Sequence, residues 1–190
     1  MAARRVILGI SGASCLELSL HFIKKFPLDI ELLIVPSKHA FTVCKAEKGQ
    51  NLKNLIIKER KNAQIHENLT SPLASGSFAF ESCIILPTSS HTLSCIATGL
   101  QDSLLTRIAA ICLKEKRKLV LGIREMPLSA ILLENMAKLA SIGVFIAPPM
   151  VGYYSKIDNL DSMHDFIIGR YFDFLGIENS LFNRWEGGSL

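Results

Sequence analysis

The sequence lacks the signals of several protein classes. Its 190 residues contain no apolar run near the roughly 18 residues that span a bilayer, and the run after Arg4 and Arg5 is too short for a signal peptide. No CxxC pair, HExxH motif or Cys/His cluster at zinc spacing occurs, so the sequence predicts no metal. Five cysteines without a secretory signal indicate reduced thiols and a cytoplasmic protein.

Basic clusters are few, and no aromatic residues interleave them. The net charge is +4, but segments 58–61 and 114–118 each contain a glutamate, and the first is typical of a solvated helix end. A nucleic-acid partner is therefore not expected. Hydrophobic residues make up 49% and charged residues 20%, which excludes a disordered chain and fits one domain over residues 1–190.

Five short apolar runs separated by helical patterns predict an α/β fold with a parallel sheet. The runs cover residues 6–10, 30–35, 83–87, 119–123 and 144–147. Helices are expected near residues 16–25, 40–46, 52–57, after Thr88, 103–114, from Pro127 onward, and 160–174 with Gly176 as C-cap. The polar segment 64–77 is predicted to be irregular.

The residues that follow the strands are the candidate ligand site, because such sheets bind ligands beyond the carboxyl ends of their strands. Gly12 lies in a turn that lets backbone approach a phosphate, and the hydroxyl-rich segment 88–92 begins a helix. Ser37 and Arg124 occupy two further strand ends. Each feature alone also fits an ordinary turn, cap or salt bridge. Together they predict a pocket for a phosphorylated cofactor and leave the reaction open.

The motifs taken together resemble those of the UbiX-like flavin prenyltransferases, within the homo-oligomeric flavin-containing decarboxylase-like family. The matching stretches run in order along nearly the whole chain and cover residues 9–14 (GISGAS), 74–77, 87–93 (PTSSHTL), 102–109, 113–115, 123–129 (IREMPLS), 133–136, 148–154 (PPMVGYY), 169–170 and 184–185. The resemblance implies a three-layer, flavodoxin-like or Rossmann-like single domain. It also implies a homo-dodecamer, with a tail of about residues 178–190 packing on a neighbouring subunit.

The resemblance further implies a reaction and its residues. Reduced FMN accepts a dimethylallyl group from dimethylallyl monophosphate at N5 and C6, without a metal, and the prenylated FMN serves a UbiD-like decarboxylase. The implied FMN-binding residues are Gly12, Ala13, Ser14, Ser37, Ser89, Ser90, His91, Thr92 and Arg124. The implied donor-binding residues are Tyr154, Arg170 and Lys114. The implied catalytic residues are Glu134, Lys114, Ser14 and Trp185.

Departures from the family pattern keep two alternatives open. Cys15 stands where the family usually has glycine, which a helical backbone would tolerate and a left-handed one would not. It motivates a non-catalytic FMN-binding protein as one alternative. The other is a flavin-dependent cysteine decarboxylase, although the loop 148–154 lacks the asparagine of that branch. Glu47 lies near a family acidic position, where the surrounding match is poor.

Overall fold

The computed structural model describes residues 4–187 of the chain. These residues form two compact units that divide after Pro148. No helix within the described range has the length and apolar character needed to cross a membrane. The predicted single-domain extent of 1–190 stays a prediction, and its first three and last three residues lie outside the described range.

The first unit is built on a six-stranded parallel sheet, which confirms the predicted fold class. Its strands are β1 (Arg5–Ile10), β2 (Glu31–Pro36), β3 (Gln64–Ile65), β4 (Ser82–Thr88), β5 (Lys118–Ile123) and β6 (Phe145–Ile146). Their order in the sheet is β3-β2-β1-β4-β5-β6. The prediction that segment 64–77 is wholly irregular was wrong, because β3 pairs there with β2 at the sheet edge.

Helices connect these strands. They are α1 (Leu16–Lys25), α2 (Lys38–Lys48), α3 (Leu52–Glu59), α4 (Ser90–Thr98), α5 (Leu104–Lys114) and α6 (Ala130–Ser141). The prediction that a helix starts at Pro127 was wrong by three residues. Ser129 is the N-cap of α6, and its side chain accepts a hydrogen bond from the backbone N–H of Leu132.

Alternate residues of the strands are buried on opposite faces of the sheet. Ile7 and Ile85 belong to the apolar cluster that contains Leu105 of α5. Their sequence neighbours, such as Leu8, are equally buried and point to the other face, where α1 packs on β4 and α3. Helices therefore cover both faces, as a fully parallel sheet of apolar strands requires.

The chain changes direction across the sheet between β1 and β4. From β1 the chain continues to β2 on one side, and from β4 it continues to β5 on the other. Gly9 of β1 pairs with Ile85 of β4, and an added Cβ on Gly9 would overlap the side chain of Leu105. The carboxyl ends of β1 and β4 thus form the switch point at which open α/β sheets bind ligands.

The second unit contains α7 (Leu160–Leu175) and the residues around it. Asn159 and Ser162 form a capping box at its start, and Gly176 ends it at φ 71°, which confirms the predicted C-cap. The chain then folds back on α7, where Asn179 donates a hydrogen bond to the carbonyl oxygen of Gly169 at 3.2 Å. The described part of the predicted tail therefore contacts its own helix.

Candidate functional site

Ser11 ties together the two loops at the switch point. Its hydroxyl is fully buried, donates to the carbonyl oxygen of Pro87 at 2.8 Å and accepts from the backbone N–H of Ser89 at 2.7 Å. The loop after β1 and the loop after β4 therefore share one hydrogen-bonded base. The sequence alone gives Ser11 no role, because its partners lie 76 and 78 residues away.

Replacement of Ser11 by alanine should lower the free energy of unfolding by about 1–3 kcal/mol, the usual cost of leaving a buried polar group unpaired. Urea denaturation of the apoprotein measures this loss. Ser141→Ala removes an exposed hydroxyl that bonds only to the carbonyl oxygen of Lys138, and is expected to change stability by less than about 0.5 kcal/mol. Equal effects of the two substitutions would contradict the structural role of Ser11.

A cavity of about 710 Å³ opens beside this base. Its volume lies within the range of roughly 300–1,000 Å³ that is typical of small-molecule sites. It brings together six of the predicted FMN-binding residues: Gly12, Ser37, Ser89, Ser90, His91 and Thr92. It also contains residues that were not among the predicted FMN-binding residues, such as Lys38, His39, Asp102, Ser103 and Thr106.

Three helices begin at this cavity. The Ser37 hydroxyl caps α2 by accepting from the N–H of Ala40, the Ser89 hydroxyl caps α4 by accepting from Thr92, and Ser103 caps α5. Each N-terminus presents free backbone N–H groups and the positive end of a helix dipole. The cavity therefore favours an anionic ligand. The capping role of Ser37 and Ser89 is observed, whereas their contact with FMN stays a prediction.

Gly12 brings the loop after β1 close to the start of α2. An added Cβ at this position would overlap the Cβ of His39 and would lie 3.1 Å from its backbone carbonyl carbon. The missing side chain therefore leaves one wall of the cavity formed by backbone, which fits a phosphorylated cofactor. Ala13 is buried and Ser14 is half-buried beside it, and neither lines the cavity itself.

Cys15 adopts the left-handed conformation that the sequence analysis identified as unfavourable for it. Its φ is 88° and its ψ is 30°, and its side chain makes no capping hydrogen bond at the start of α1. Burial, together with the charge of Glu17, raises the pKa of the Cys15 thiol, and the positive charge of Arg124 opposes this rise. The residue where the family has glycine is thus held in a strained backbone conformation.

Replacement of Cys15 by glycine should raise the free energy of unfolding by about 0.5–1 kcal/mol. The substitution removes a left-handed strain of about 1–2 kcal/mol, and the larger entropy of unfolded glycine offsets part of this gain. Urea denaturation measures the change. Cys15→Ala is the control, because it retains a Cβ and with it the strain. An equal gain in the alanine variant would show that the thiol, and not the backbone, is unfavourable.

Arg124 and Glu47 lie near Cys15, since the charges of both act on its thiol. Arg124 directly follows β5, as predicted, and its backbone N–H donates to the carbonyl oxygen of Thr88 at 3.1 Å. Its side chain is exposed and does not line the cavity. The structure therefore places Arg124 at the same edge of the sheet as the loop after β1.

His91 forms a polar cluster with two further groups. Its Nε2 lies 3.5 Å from the Sγ of Cys95 and 3.8 Å from Oδ2 of Asp102, and the ring of His39 faces it at a centroid distance of 6.3 Å. Burial and the charge of Asp102 raise the pKa of the Cys95 thiol. The three donor atoms lie within 4.8 Å of one another and could hold a metal ion. The sequence missed this set, because Asp102 reaches it from the loop before α5.

The second unit contains an aromatic cluster around Tyr154. The ring of Tyr154 meets those of Phe166 and Trp185 edge-on at centroid distances of 5.6 and 5.9 Å. Phe166 meets Phe182 in the same way at 5.1 Å. The structure therefore brings together Tyr154, for which the resemblance implies donor binding, and Trp185, for which it implies a catalytic role.

Asp173 holds two arginines beside this cluster. Its Oδ2 lies 3.1 Å from NH1 of Arg170, and Arg184 donates to both carboxylate oxygens at 3.0 and 2.7 Å. Arg170 also lies over the ring of Phe174 and Arg184 over that of Phe182. Arg170 was predicted as a donor-binding residue. Asp173 was missed, because one of its partners lies eleven residues away in the returning chain.

Lys114 and Glu134 lie apart from the cavity. Lys114 is the last residue of α5 and pairs with Glu115 at 3.1 Å. It is separated from Ser103, at the cavity end of the helix, by roughly 16 Å at 1.5 Å per residue. Glu134 is exposed on α6, among apolar side chains such as Ile131, which is 69% exposed. The structure of one chain therefore does not unite either residue with the predicted flavin site, and their roles stay predictions.

The chain is similar to known flavoproteins over most of its length. The model of the Flavoprotein family matches residues 1–172. Flavin prenyltransferase UbiX of Helicobacter pylori J99 is 44% identical over 183 residues, which are 95% of this chain and 98% of the relative. Flavin prenyltransferase UbiX of Campylobacter jejuni is 41% identical over 184 residues, with coverage of 96% and 98%.

Solved structures show the same similarity. AnUbiX (PadA1), in complex with FMN and dimethylallyl pyrophosphate, superimposes with a TM-score of 0.89 at 32% identity and covers 98% of this chain and 100% of that one. The dodecameric FMN-dependent UbiX-like decarboxylase from Escherichia coli O157:H7 gives a TM-score of 0.87 at 33% identity, with coverage of 96% and 100%.

The FMN-dependent cysteine decarboxylase TvaF shares only 15% identity at a TM-score of 0.62, with coverage of 77% of this chain and 90% of that one. This similarity shows a common fold alone, and the cysteine decarboxylase alternative is not favoured. The family model, the curated relatives and the solved structures all indicate the same family. The chain therefore belongs to the Flavoprotein family and, within it, to the UbiX-like flavin prenyltransferases.

Proposed function

We propose that the protein transfers a dimethylallyl group from dimethylallyl monophosphate to reduced FMN, as its family resemblance implies. The observation that carries the proposal is the cavity of about 710 Å³ at the switch point. Three helices begin at this cavity, and the backbone at Gly12 forms part of its wall. The crystal structure of AnUbiX, which shares this fold, is that of a complex with FMN and dimethylallyl pyrophosphate. Reduced FMN is the acceptor, and it supplies the nucleophilic atoms N5 and C6.

The first unit would hold the flavin. The residues proposed to bind it are Gly12, Ala13, Ser14, Ser37, Ser89, Ser90, His91, Thr92 and Arg124. At the starts of α2 and α4, the hydroxyls of Ser37 and Ser89 each accept from one backbone N–H group. The remaining N–H groups of the first turns have no partner within their helices, and we propose that they donate to the phosphate of FMN. Arg124 supplies a cation beside the loop after β1.

Residues of the second unit would bind the donor. As the C1′–O bond breaks, its electron pair leaves with the phosphate, and the guanidinium of Arg170 neutralises the developing charge. The aromatic rings of Tyr154 and Trp185 stabilise the positive charge on the allylic carbon and exclude water that would capture it. The Tyr154 hydroxyl donates to a leaving oxygen.

Closure of the second bond joins C6 of the flavin to C3′ of the prenyl group. The C2′=C3′ double bond takes up a proton at C2′, and the removal of the proton from C6 balances it. The departing phosphate or Glu134 is the proposed base, and Lys114 and Ser14 complete the proposed catalytic set. Since Lys114 and Glu134 lie away from the cavity of their own chain, this part of the proposal has them act in the pocket of a neighbouring subunit.

We also propose a dodecamer, with the tail of about residues 178–190 packing on a neighbouring subunit. The Escherichia coli structure is dodecameric at 33% identity, and large apolar side chains are exposed around α6, such as Met126 at 88% and Ile131 at 69%. Light scattering should give a mass close to twelve times 21.0 kDa. A mass of one or two chains would contradict this proposal.

The reaction is tested directly by the mass of the flavin. The purified protein is incubated without oxygen with reduced FMN and dimethylallyl monophosphate, and the flavin is then extracted. The expected product carries one additional five-carbon unit. Bound but unchanged flavin would instead indicate a non-catalytic FMN-binding protein, and release of carbon dioxide from a cysteinyl peptide would indicate the decarboxylase alternative.

The place of the protein in the cell follows from the same proposal. Prenylated FMN is a cofactor that a second enzyme must take up, and a UbiD-like decarboxylase is the proposed recipient. The five cysteines of the chain are all free thiols, which suits the reducing cytoplasm. Activation of an apo-decarboxylase by the reaction mixture, and not by FMN alone, is the corresponding measurement.

A further inference from the structure

The carboxylate of Asp173 sets the charge of the arginine cluster in the second unit. It bonds to Arg170 through one oxygen and to Arg184 through both. The amide of Asn179 adds a third donor at 3.0 Å. Two guanidinium groups and one carboxylate leave a net charge of +1. Asp173 is 18% exposed, whereas Arg170 is 43% and Arg184 50% exposed, so the carboxylate lies beneath two cations that face solvent.

Asp173 remains ionised at neutral pH. Burial alone would raise the pKa of its carboxyl group, but the hydrogen bonds and charge of Arg184, together with Asn179 and Arg170, hold that pKa below its ordinary value. The net charge of +1 is therefore a fixed property of this cluster.

Ring contacts connect the arginine cluster to Tyr154. Arg184 lies over the ring of Phe182, Phe182 meets Phe166, and Phe166 meets Tyr154. The ring of Tyr154 in turn contacts that of Trp185. An apolar group with a terminal phosphate fits this combination, because the rings receive the hydrocarbon and the arginines receive the oxygens. The number of phosphate charges that the cluster neutralises then depends on Asp173.

We propose that Asp173 makes the site selective for the allylic monophosphate over the diphosphate, by holding Arg170 and Arg184 together and cancelling one of their charges. This inference rests on the proposed function, in which Arg170 binds the leaving phosphate. A diphosphate ester carries about one more negative charge than the monoester at neutral pH, so it gains more from each uncancelled cation. Arg184 is then a second phosphate-binding residue.

A purely structural role of Asp173 gives a different expectation. If the carboxylate only anchored the returning chain to α7, its loss would impair both donors by the same factor. The ratio of the two kcat/KM values therefore separates selectivity from anchoring. Measurement of both donors in the same preparation cancels any loss of folded protein.

The test compares dimethylallyl monophosphate with dimethylallyl pyrophosphate in anaerobic assays with reduced FMN. Asp173→Asn is expected to shift the kcat/KM ratio about tenfold toward the pyrophosphate, as one added unit charge a few ångströms away would do. Asp173→Glu keeps the charge and should restore the original ratio. Glu178→Gln removes one negative charge from an exposed position of the same segment and should leave the ratio unchanged.

A second readout keeps the inference independent of turnover. Calorimetric titration of the FMN-loaded protein with inorganic phosphate and with pyrophosphate should show the same tenfold shift in relative affinity. Absence of prenyl transfer with either donor would reject the proposed function, while this binding ratio would still test Asp173. If Asp173→Asn does not fold, Arg184→Gln should shift the ratio toward the monophosphate. An unchanged ratio in either folded variant would overturn the inference.

Discussion

Arg170→Ala is expected to lower kcat/KM for dimethylallyl monophosphate by about 10²- to 10³-fold, while the affinity for FMN remains within about twofold. The loss corresponds to one preorganised donor to a developing charge, which contributes about 3–4 kcal/mol. FMN binding should persist, because Arg170 belongs to the second unit and the cavity at the switch point is lined by residues of the first. Steady-state kinetics and quenching of flavin fluorescence measure the two quantities.

Arg170→Lys provides the matched control. Lysine keeps the charge but loses the forked donor geometry, so an intermediate loss is expected. Arg184 would still be held by Asp173 in both variants, and some phosphate binding should persist. A parallel loss of FMN affinity and kcat/KM would contradict the separation of the flavin and donor sites.

Gly12→Ala is expected to weaken FMN binding by about 10- to 100-fold, in line with the 1–3 kcal/mol that overpacking costs. The new Cβ would overlap His39 at the start of α2. Because backbone atoms of His39 also lie 3.1 and 3.2 Å away, rotation of the side chain alone does not relieve the clash. The N-terminus of α2 must then shift, and its N–H groups no longer point toward the phosphate of FMN. Titration of the apoprotein with FMN measures the effect.

Gly49→Asn is the matched control for Gly12→Ala. Gly49 ends the same helix at φ 65°, nothing lies within 4 Å of an added Cβ, and asparagine tolerates this conformation. FMN affinity should therefore remain unchanged in the control. Equal affinities of the Gly12→Ala and Gly49→Asn variants would show that the loop after β1 does not approach the flavin closely.

The position of the cavity at the switch point could be predicted from the sequence because its signals are local. Apolar strands end in small and hydroxyl residues at Gly12, Ser37 and Ser89, and the topology of a parallel sheet brings those ends together. The strain at Cys15 could be named but not decided from the sequence. The family pattern has glycine there, but only the structure shows that the backbone is left-handed.

Features that depend on long-range pairing were beyond the sequence. The two-residue strand β3 is too short for a periodic pattern and exists only through its pairing with β2. In the sequence, Asp173 looks like an ordinary surface aspartate of a helix. Its pairing with Arg184 depends on the path of the chain after Gly176, which the sequence pattern does not predict. Likewise, the buried pairing of Ser11 requires the loop after β4. The role of Lys114 in donor binding and catalysis was predicted from the resemblance alone. Within the described part of the chain, Lys114 pairs with Glu115 and does not line the cavity.

The edge-on stacking of Trp185 against Tyr154 has a practical consequence. Trp185 is the sole tryptophan of the chain, so selective excitation of indole emission observes this one position and no other. A ligand that enters between the two rings would change the polarity around the indole and shift its emission maximum. Trp185 is thus an intrinsic optical reporter for the proposed donor site, and it can be read in stopped-flow experiments without any added label.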